Sequence, residues 1–465
     1  MPNHFDRRTA LSYASAASAI GGLAATGCVS ARPIRHVQGR LRHACIGVGG
    51  MGGADAEQIS SHPEVDIVAL CDVDQGKLDA AKAKHPDART YRDWRELLQK
   101  ERDNIDSVNV TTPDHMHAVI TLSALADRKH VYCQKPLTRT VSEARAVARA
   151  AERAGVVTQM GIQNRSRPFY RSAHELFQRN LIGKVYEIHV WTDRPNNWWP
   201  QGVGRPDGSD PVPEGLDWDL WLGVAPKRPF KAGQYHPFAW RGWEDFGTGA
   251  QGDMACHLMD PAFWFLELGA PTRIRSDGPT PNGETYPLWS TIEYEFAGNQ
   301  HTTKGPLRFT WYDGGRKAPK QLLSDLGVVD PPPKKEGEEG EAKPEEGKPP
   351  VTLPANGCLL VGTEGAMWAD PYAAPRLLPE ERFADVTIPE VEGLNHWHQW
   401  VDACRGDGVA SAPFEYSAYL TEIALLGNIA LRFPHETLHW NGKRMRFSNP
   451  AANEFLFSKP RGGWS

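Results

Sequence analysis

Asp253 and His257 stand four residues apart in GDMACHLMD, and Asp260 follows three later, so on a helix the three share nearly one face. A carboxylate at that distance can orient an imidazole. An imidazole near its ordinary pKa suits the removal of a hydroxyl proton while hydride leaves the same carbon. The same spacing also fits a solvated helix face, or a helix cap by Asp253. Lys135, in YCQKP, closes a short apolar run. Before a Pro it reads equally as a surface lysine, but ligands bind beyond the carboxyl ends of buried parallel strands. Gly47, Gly49 and Gly52 form GxGxxG between an apolar run and a helical pattern, which permits a tight turn, close approach to a pyrophosphate and close strand-to-helix packing. Asp72 ends the next apolar run, where a carboxylate binds both ribose hydroxyls. NAD is expected over NADP, because that carboxylate repels a ribose phosphate and Lys77 is the only basic residue nearby.

These groups need strands that end together. From Arg42 to Pro136 short apolar runs alternate with helical patterns, the signature of a doubly wound parallel sheet. Strands are expected at His43 to Val48, Val65 to Cys71, Ser107 to Thr111 and His130 to Cys133, with helices at Gly52 to Ser60, Gln75 to His85, Trp94 to Glu101 and His115 to Asp127. A helix from Val141 to Ala154 and a strand from Val156 to Gly161 follow. Beyond Gly161 the runs become longer, aromatic-rich and antiparallel in texture, as at Val185 to Thr192, Ser290 to Phe296 and Leu307 to Tyr312, which marks a second, α+β domain. Cys358 to Thr363 reads as a further strand and Tyr416 to Leu431 as an amphipathic helix. The expected division is a signal segment and linker over 1–36, a nucleotide-binding domain over 37–160 and a substrate and oligomerisation domain over 161–465. The Pro- and Glu-rich stretch 330–351 is too polar to pack and is expected to be a disordered insertion.

TTPDHMH from Thr111 to His117, YCQKP from Tyr132 to Pro136 and GDMACHLMD together resemble the Gfo/Idh/MocA oxidoreductase family, over the whole chain after the signal segment except the acidic insertion. The resemblance implies a Rossmann domain followed by an α/β domain with an open, mostly antiparallel sheet, and a homo-oligomer formed through that sheet. It implies cofactor contacts from Met51, Thr112, Pro113, His117 and Gln134 besides the glycines and Asp72. Lys135 becomes the lysine of the family's Glu-Lys-Pro motif at the nicotinamide, with Gln134 in place of the glutamate. On this reading His257 is the general base, Asp253 its partner or the substrate's, and Lys135 the charge that stabilises a developing alkoxide.

The 16 Trp include many between Trp191 and Trp264. Flat aromatic faces suit the CH faces of sugar rings, so Arg194, Tyr235, His236, Trp240 and Arg241 are candidate substrate contacts, although Trp in such a domain is commonly core. His396 and His398 lack a third ligand in sequence, and no metal site is expected. The seven Cys have no metal-type spacing and imply no disulfide framework. With 40% hydrophobic and 23% charged residues and a net charge of -5, neither nucleic acid nor an anionic membrane is an indicated partner.

Arg7 and Arg8 precede a weakly apolar run, which resembles a twin-arginine export signal, with Ala10 where a bulkier residue is usual. Ala25 to Cys28 loosely match a lipoprotein processing site, so export to the periplasm and a lipid anchor at Cys28 are expectations. An exported enzyme has no soluble NAD pool, which favours a tightly held cofactor. The leading expectation is hydride transfer at a ring hydroxyl of a sugar or glycoside, at C3. The alternatives are an NAD-dependent glycosidase working by transient oxidation and elimination, and a non-catalytic sugar-binding protein.

Overall fold

The apolar runs of the first third become parallel strands because both faces of each are covered. The computed structural model describes residues 33–329 and 351–464; the expected export signal with Arg7 and Arg8, Cys28 and the acidic stretch up to residue 350 lie outside the described residues. In the first domain β1 (Leu41–Ile46), β2 (Val65–Cys71), β3 (Arg89–Tyr91), β4 (Ser107–Val110), β5 (His130–Gln134) and β6 (Thr158–Gly161) form a parallel sheet in the order 3-2-1-4-5-6. This is the doubly wound order of dinucleotide-binding domains, with the crevice at the carboxyl ends of the strands. The intervening helices are α1 (Met51–Ser60), α2 (Gln75–Lys84), α3 (Trp94–Lys100), α4 (Asp114–Ala126) and α5 (Val141–Ala154). Their starts are written in the sequence. Asp74 caps α2 by accepting from the Gly76 and Lys77 amides, and Thr140 with Glu143 forms a reciprocal capping box on α5.

The second domain is a nine-stranded mixed sheet of order β15-β14-β13-β7-β10-β9-β8-β16-β17. Its strands are β7 (Val185–Thr192), β8 (Pro271–Asp277), β9 (Thr291–Phe296), β10 (Leu307–Tyr312), β13 (Asn356–Gly362), β14 (Gly365–Ala369), β15 (Arg376–Leu378), β16 (Leu438–Asn441) and β17 (Arg446–Phe447). Apart from the parallel β7–β10 pair, the neighbours are antiparallel. A separate two-stranded pair, β11 (Val328–Val329) and β12 (Val351–Thr352), lies on either side of the insertion, so Val351, expected within it, belongs to a strand. One face of the large sheet carries α6 (Pro168–Gln178), α7 (Gly249–Leu258), α8 (Asp260–Leu266) and α10 (Phe414–Ala430), and a continuous core runs from Val108 and Val131 to Ile188, Phe296 and Phe309. On the opposite face β8 and β9 alternate buried and exposed positions, and Arg273 pairs with Glu295 there.

The division at residue 161 is crossed by the end of the chain. Helix α9 (His396–Arg405), capped by Asn395, returns to the first domain and buries Trp400 and Val401 against Leu41, Ile59, Val65 and Tyr132. That face of the parallel sheet would otherwise be open to water. Helix α10 lies between α5 and α7, with Arg145 of α5 hydrogen-bonded to the buried Glu422. Among the described residues no helix is long and apolar enough to cross a membrane.

Candidate active site between the two domains

The glycine loop follows β1. A Cβ on Gly47, whose φ is 82°, would lie 2.4 Å from the Thr111 carbonyl oxygen, and one on Gly52 would lie 2.0 Å from that of Gly47. Both positions therefore exclude any side chain. Helix α1 then starts at Met51, itself 40% exposed, with no side-chain cap on its first turn. Uncapped amides at such a turn bind phosphate. At the end of β2 the Asp72 carboxylate accepts from the Val48 amide at 2.9 Å and the Asp74 amide at 3.0 Å. Burial raises its pKa against those bonds. Thr112, just past β4, has a buried hydroxyl without a partner. A side-chain-free loop, an uncapped helix start, an acid at the second strand end and an orphaned hydroxyl at the fourth fit a dinucleotide.

Beyond β5 the Lys135 ammonium reaches across the domain boundary. It donates to Asp253 Oδ1 at 2.6 Å and to the Asp253 carbonyl at 2.9 Å, and Arg241 Nε donates to the same Oδ1 at 3.2 Å. Burial alone would raise the Asp253 pKa; the charges of Lys135 and Arg241 overcome it and hold the carboxyl down to about 2. One turn further along α7 stands His257. Burial, with the Lys135 charge, lowers its pKa to about 3, and its Nδ1 is buried without a partner. The imidazole is thus neutral at ordinary pH and able to accept a proton, but it is a weaker base than the near-ordinary imidazole expected from the spacing. Asp260, third on the expected face, is engaged elsewhere, accepting from Arg165 at 2.8 Å and from the Tyr416 hydroxyl at 2.6 Å.

Other expected contacts are placed differently. His117 is 1% exposed, and its two ring nitrogens lie 2.7 Å from the Pro136 carbonyl and 2.8 Å from that of Thr112. It braces the two strand ends and has no nitrogen left for a cofactor. Pro113 stands at the N-terminus of α4. Gln134 is held by Asp55, donating to both of its carboxylate oxygens at 3.0 Å. Tyr235 is 1% exposed, within a cluster of Trp221, Phe230, Trp243 and Phe246, and Trp240 belongs to the same cluster. Each such ring gains about 2–3 kcal/mol by burial, which explains the packing without a ligand. His236 bonds Asp74 at 3.0 Å, on the nucleotide side, and Arg194 pairs with Asp193 and stacks on Trp198. Of the five substrate candidates, Arg241 alone touches the Lys135–Asp253 pair.

Two acids have no role in the sequence-based expectations. Asp114, inside TTPDHMH, accepts from Thr248 at 2.7 Å, and burial raises it to about 7 although Lys135 pulls it down. Asp55, in α1, is fully buried and accepts from Thr111, Gln134 and Trp397; burial raises it to about 6 against these bonds. The only hint of Asp55 was the missing glutamate at position 134. His396 and His398 bond to serines, and among the described residues no group of three His, Cys, Asp or Glu is placed to hold a metal. The six described cysteines are buried and unpaired.

Residues 41–162 match a family described as oxidoreductase family, NAD-binding Rossmann fold, and residues 170–305 match that family's C-terminal alpha/beta domain, together more than half of the chain. Among curated relatives, a myo-inositol 2-dehydrogenase of Thermotoga maritima is 25% identical over 155 residues, which are 33% of this chain and 46% of that protein. A glycosyl hydrolase family 109 protein of Saccharopolyspora erythraea is 34% identical over 164 residues, 30% of this chain and 35% of its own length. The chain thus spans under half the length of these relatives. In fold it is similar to the WlbA dehydrogenase from Bordetella pertussis, solved with NADH and UDP-GlcNAcA, with a TM-score of 0.57 and 15% identity, covering 86% of this chain and 99% of that one.

Proposed function

The chain belongs to the oxidoreductase family whose NAD-binding Rossmann fold and C-terminal alpha/beta domain it carries, and from that premise we propose that it oxidises a ring hydroxyl of a sugar or glycoside. The observation that carries this reading is the Lys135–Asp253–Arg241 charge cluster at the end of β5, with neutral His257 one helical turn on. When bound, the nicotinamide supplies the hydride acceptor. The protein does the rest. His257 takes the hydroxyl proton, and Asp253, four residues back, offsets the imidazolium charge that results. Lys135, fixed by two bonds to Asp253, lowers the cost of negative charge on the substrate oxygen. Asp72 selects the unphosphorylated ribose, so NAD is the cofactor.

The reading extends to C3 as the position oxidised and to a nicotinamide retained through turnover. It also includes export by the twin-arginine route to the periplasm, a lipid on Cys28, and a homo-oligomer through the open face of the large sheet. Similarity to a glycosyl hydrolase family 109 protein supports a second reading, in which transient oxidation acidifies the C–H next to the new carbonyl, loss of that proton expels the aglycone from the carbon beyond, and water adds across the double bond before hydride returns. Titrating the purified full chain with a panel of glycosides, free sugars and inositols tests both. Growth of the reduced-nicotinamide absorbance with one sugar supports the dehydrogenase. Release of the aglycone without net absorbance change supports the glycosidase. Binding of sugar with neither signal would leave a binding protein.

A further inference from the structure

The tryptophans divide into two populations. Those of the Tyr235 cluster are sealed, whereas Trp198 is 51% exposed and, with Leu288 at 56%, lines one cavity of about 830 Å³. Its walls are the 193–201 loop, Leu288 with Trp289, and the 314–315 turn. Large apolar side chains left this exposed on one wall form a surface that a ligand with apolar faces would cover.

A run of side-chain contacts links the cavity wall to the charge cluster. Trp198 and Phe238 have ring centres 6.5 Å apart, the Arg241 guanidinium lies 4.2 Å from the Phe238 ring centre, and Arg241 binds Asp253. Gln201 on the cavity wall also accepts from the Ala250 amide in the first turn of α7, the helix that carries Asp253 and His257. The remaining polar walls are Asn196, Asn197 and Asp193, groups that bond to hydroxyls. Arg194 does not make this an anion site, since it is paired with Asp193 and its charge lies 3.7 Å over the Trp198 ring.

We propose that this cavity is a second sugar subsite, so that the substrate is a glycoside at least two rings long, with the ring to be oxidised at Lys135 and His257 and the next ring against Trp198 and Leu288. The proposal rests on the oxidoreductase reading for the role of the first ring only. Indole and leucine faces cover the CH faces of the second ring, and the amides and carboxylate take its hydroxyls.

The experiment compares the full-length wild type with Trp198→Ala and Leu288→Ala, two half-exposed positions outside the charge cluster. The probes are cellobiose, lactose and chitobiose, each against the methyl glycoside of its non-reducing sugar. Turnover is read as kcat/KM, and binding is read by calorimetry in a Lys135→Ala background. The expected result is a two-ring preference of about tenfold in both readouts, mostly lost in each variant, with one-ring kcat/KM unchanged. Equal treatment of one- and two-ring probes, or a preference that survives both substitutions, overturns the subsite. A two-ring binding preference that depends on Trp198, without turnover of any probe, supports the subsite and removes the oxidoreductase reading. Turnover of one-ring probes without such a preference does the reverse.

Discussion

Gln134 and Lys135 are neighbours in the chain and belong to two opposite environments. Lys135 enters a charged cluster open to the crevice, where cations hold Asp253 down to about 2. Gln134 enters a sealed network under the glycine loop, where Asp55 meets neutral donors only and burial raises it to about 6. A buried carboxylate with cationic partners stays charged; one given only neutral hydrogen bonds moves toward its protonated form. One strand end therefore feeds a reactive site on one side and a structural joint on the other. The amide at position 134 suits the joint, because a glutamate there would face Asp55 with a second acid.

The contrast is broken most strongly at its reactive side. Lys135→Ala and His257→Ala are each expected to lower turnover by about 10²–10⁴-fold while nucleotide remains bound, measured by steady-state rates and by nucleotide released on denaturation. Full activity in either variant refutes its role. On the sealed side, Gln134→Glu is expected to cost on the order of 2–4 kcal/mol in urea unfolding, and more as pH rises, because the two acids must then share one proton or repel. Unchanged stability at pH 8 would show that the network tolerates charge.

Asp72→Ala is expected to move cofactor preference toward NADP by on the order of tenfold, read as the ratio of Kd values. The smallest effect sharpens the pH comparison. Asp55 titrates near about 6 folded against about 3.9 unfolded, so the folded state holds the extra proton between those values. Stability attributable to Asp55 is highest below about 4, falls as pH climbs to about 6 and is level above. Asp253 has the opposite sign: its contribution is present above about 4 and lost as pH falls through about 2. Asp55→Asn is expected to reduce the slope of the upper window, leaving the part that belongs to Asp114, measured by urea unfolding from pH 4 to 7; a slope left unchanged would assign that window to other groups.

Sequence patterns that are local proved the most legible. GxGxxG, the apolar runs around it and the Asp253–His257 spacing depend on neighbours in the chain, and the Rossmann sheet with its mixed, mostly antiparallel companion follows from them. Strand β8, PTRIRSD, escaped notice because its exposed positions are charged and it has few apolar residues to mark a face. The Gln134–Asp55 pair was illegible because its members are far apart in sequence: Gln134 stands out against the motif's glutamate, but nothing local names its partner. Burial sorted the aromatics: Tyr235 and Trp198 look alike as residues in Trp-rich stretches, and only packing separates a core ring from a wall of a cavity. Helix α9 has no counterpart in the sequence reading, where His396 and His398 stand only as a weak metal pair, and a helix of that length does not in any case say which sheet it will cover.

That return has a consequence for how the protein is made. Trp397 in α9 donates at 2.8 Å to Asp55 in α1, and Trp400 closes the sheet face beside β1. A ribosome delivers the glycine loop early and this cover only after some 340 further residues have emerged. The nascent nucleotide-binding half therefore waits, with an unroofed sheet and an acid short of one donor, until the last part of the chain arrives. A shortened chain ending before Asn395 would carry every glycine of the loop yet lack the helix that covers the sheet beside it and the donor that completes the Asp55 network.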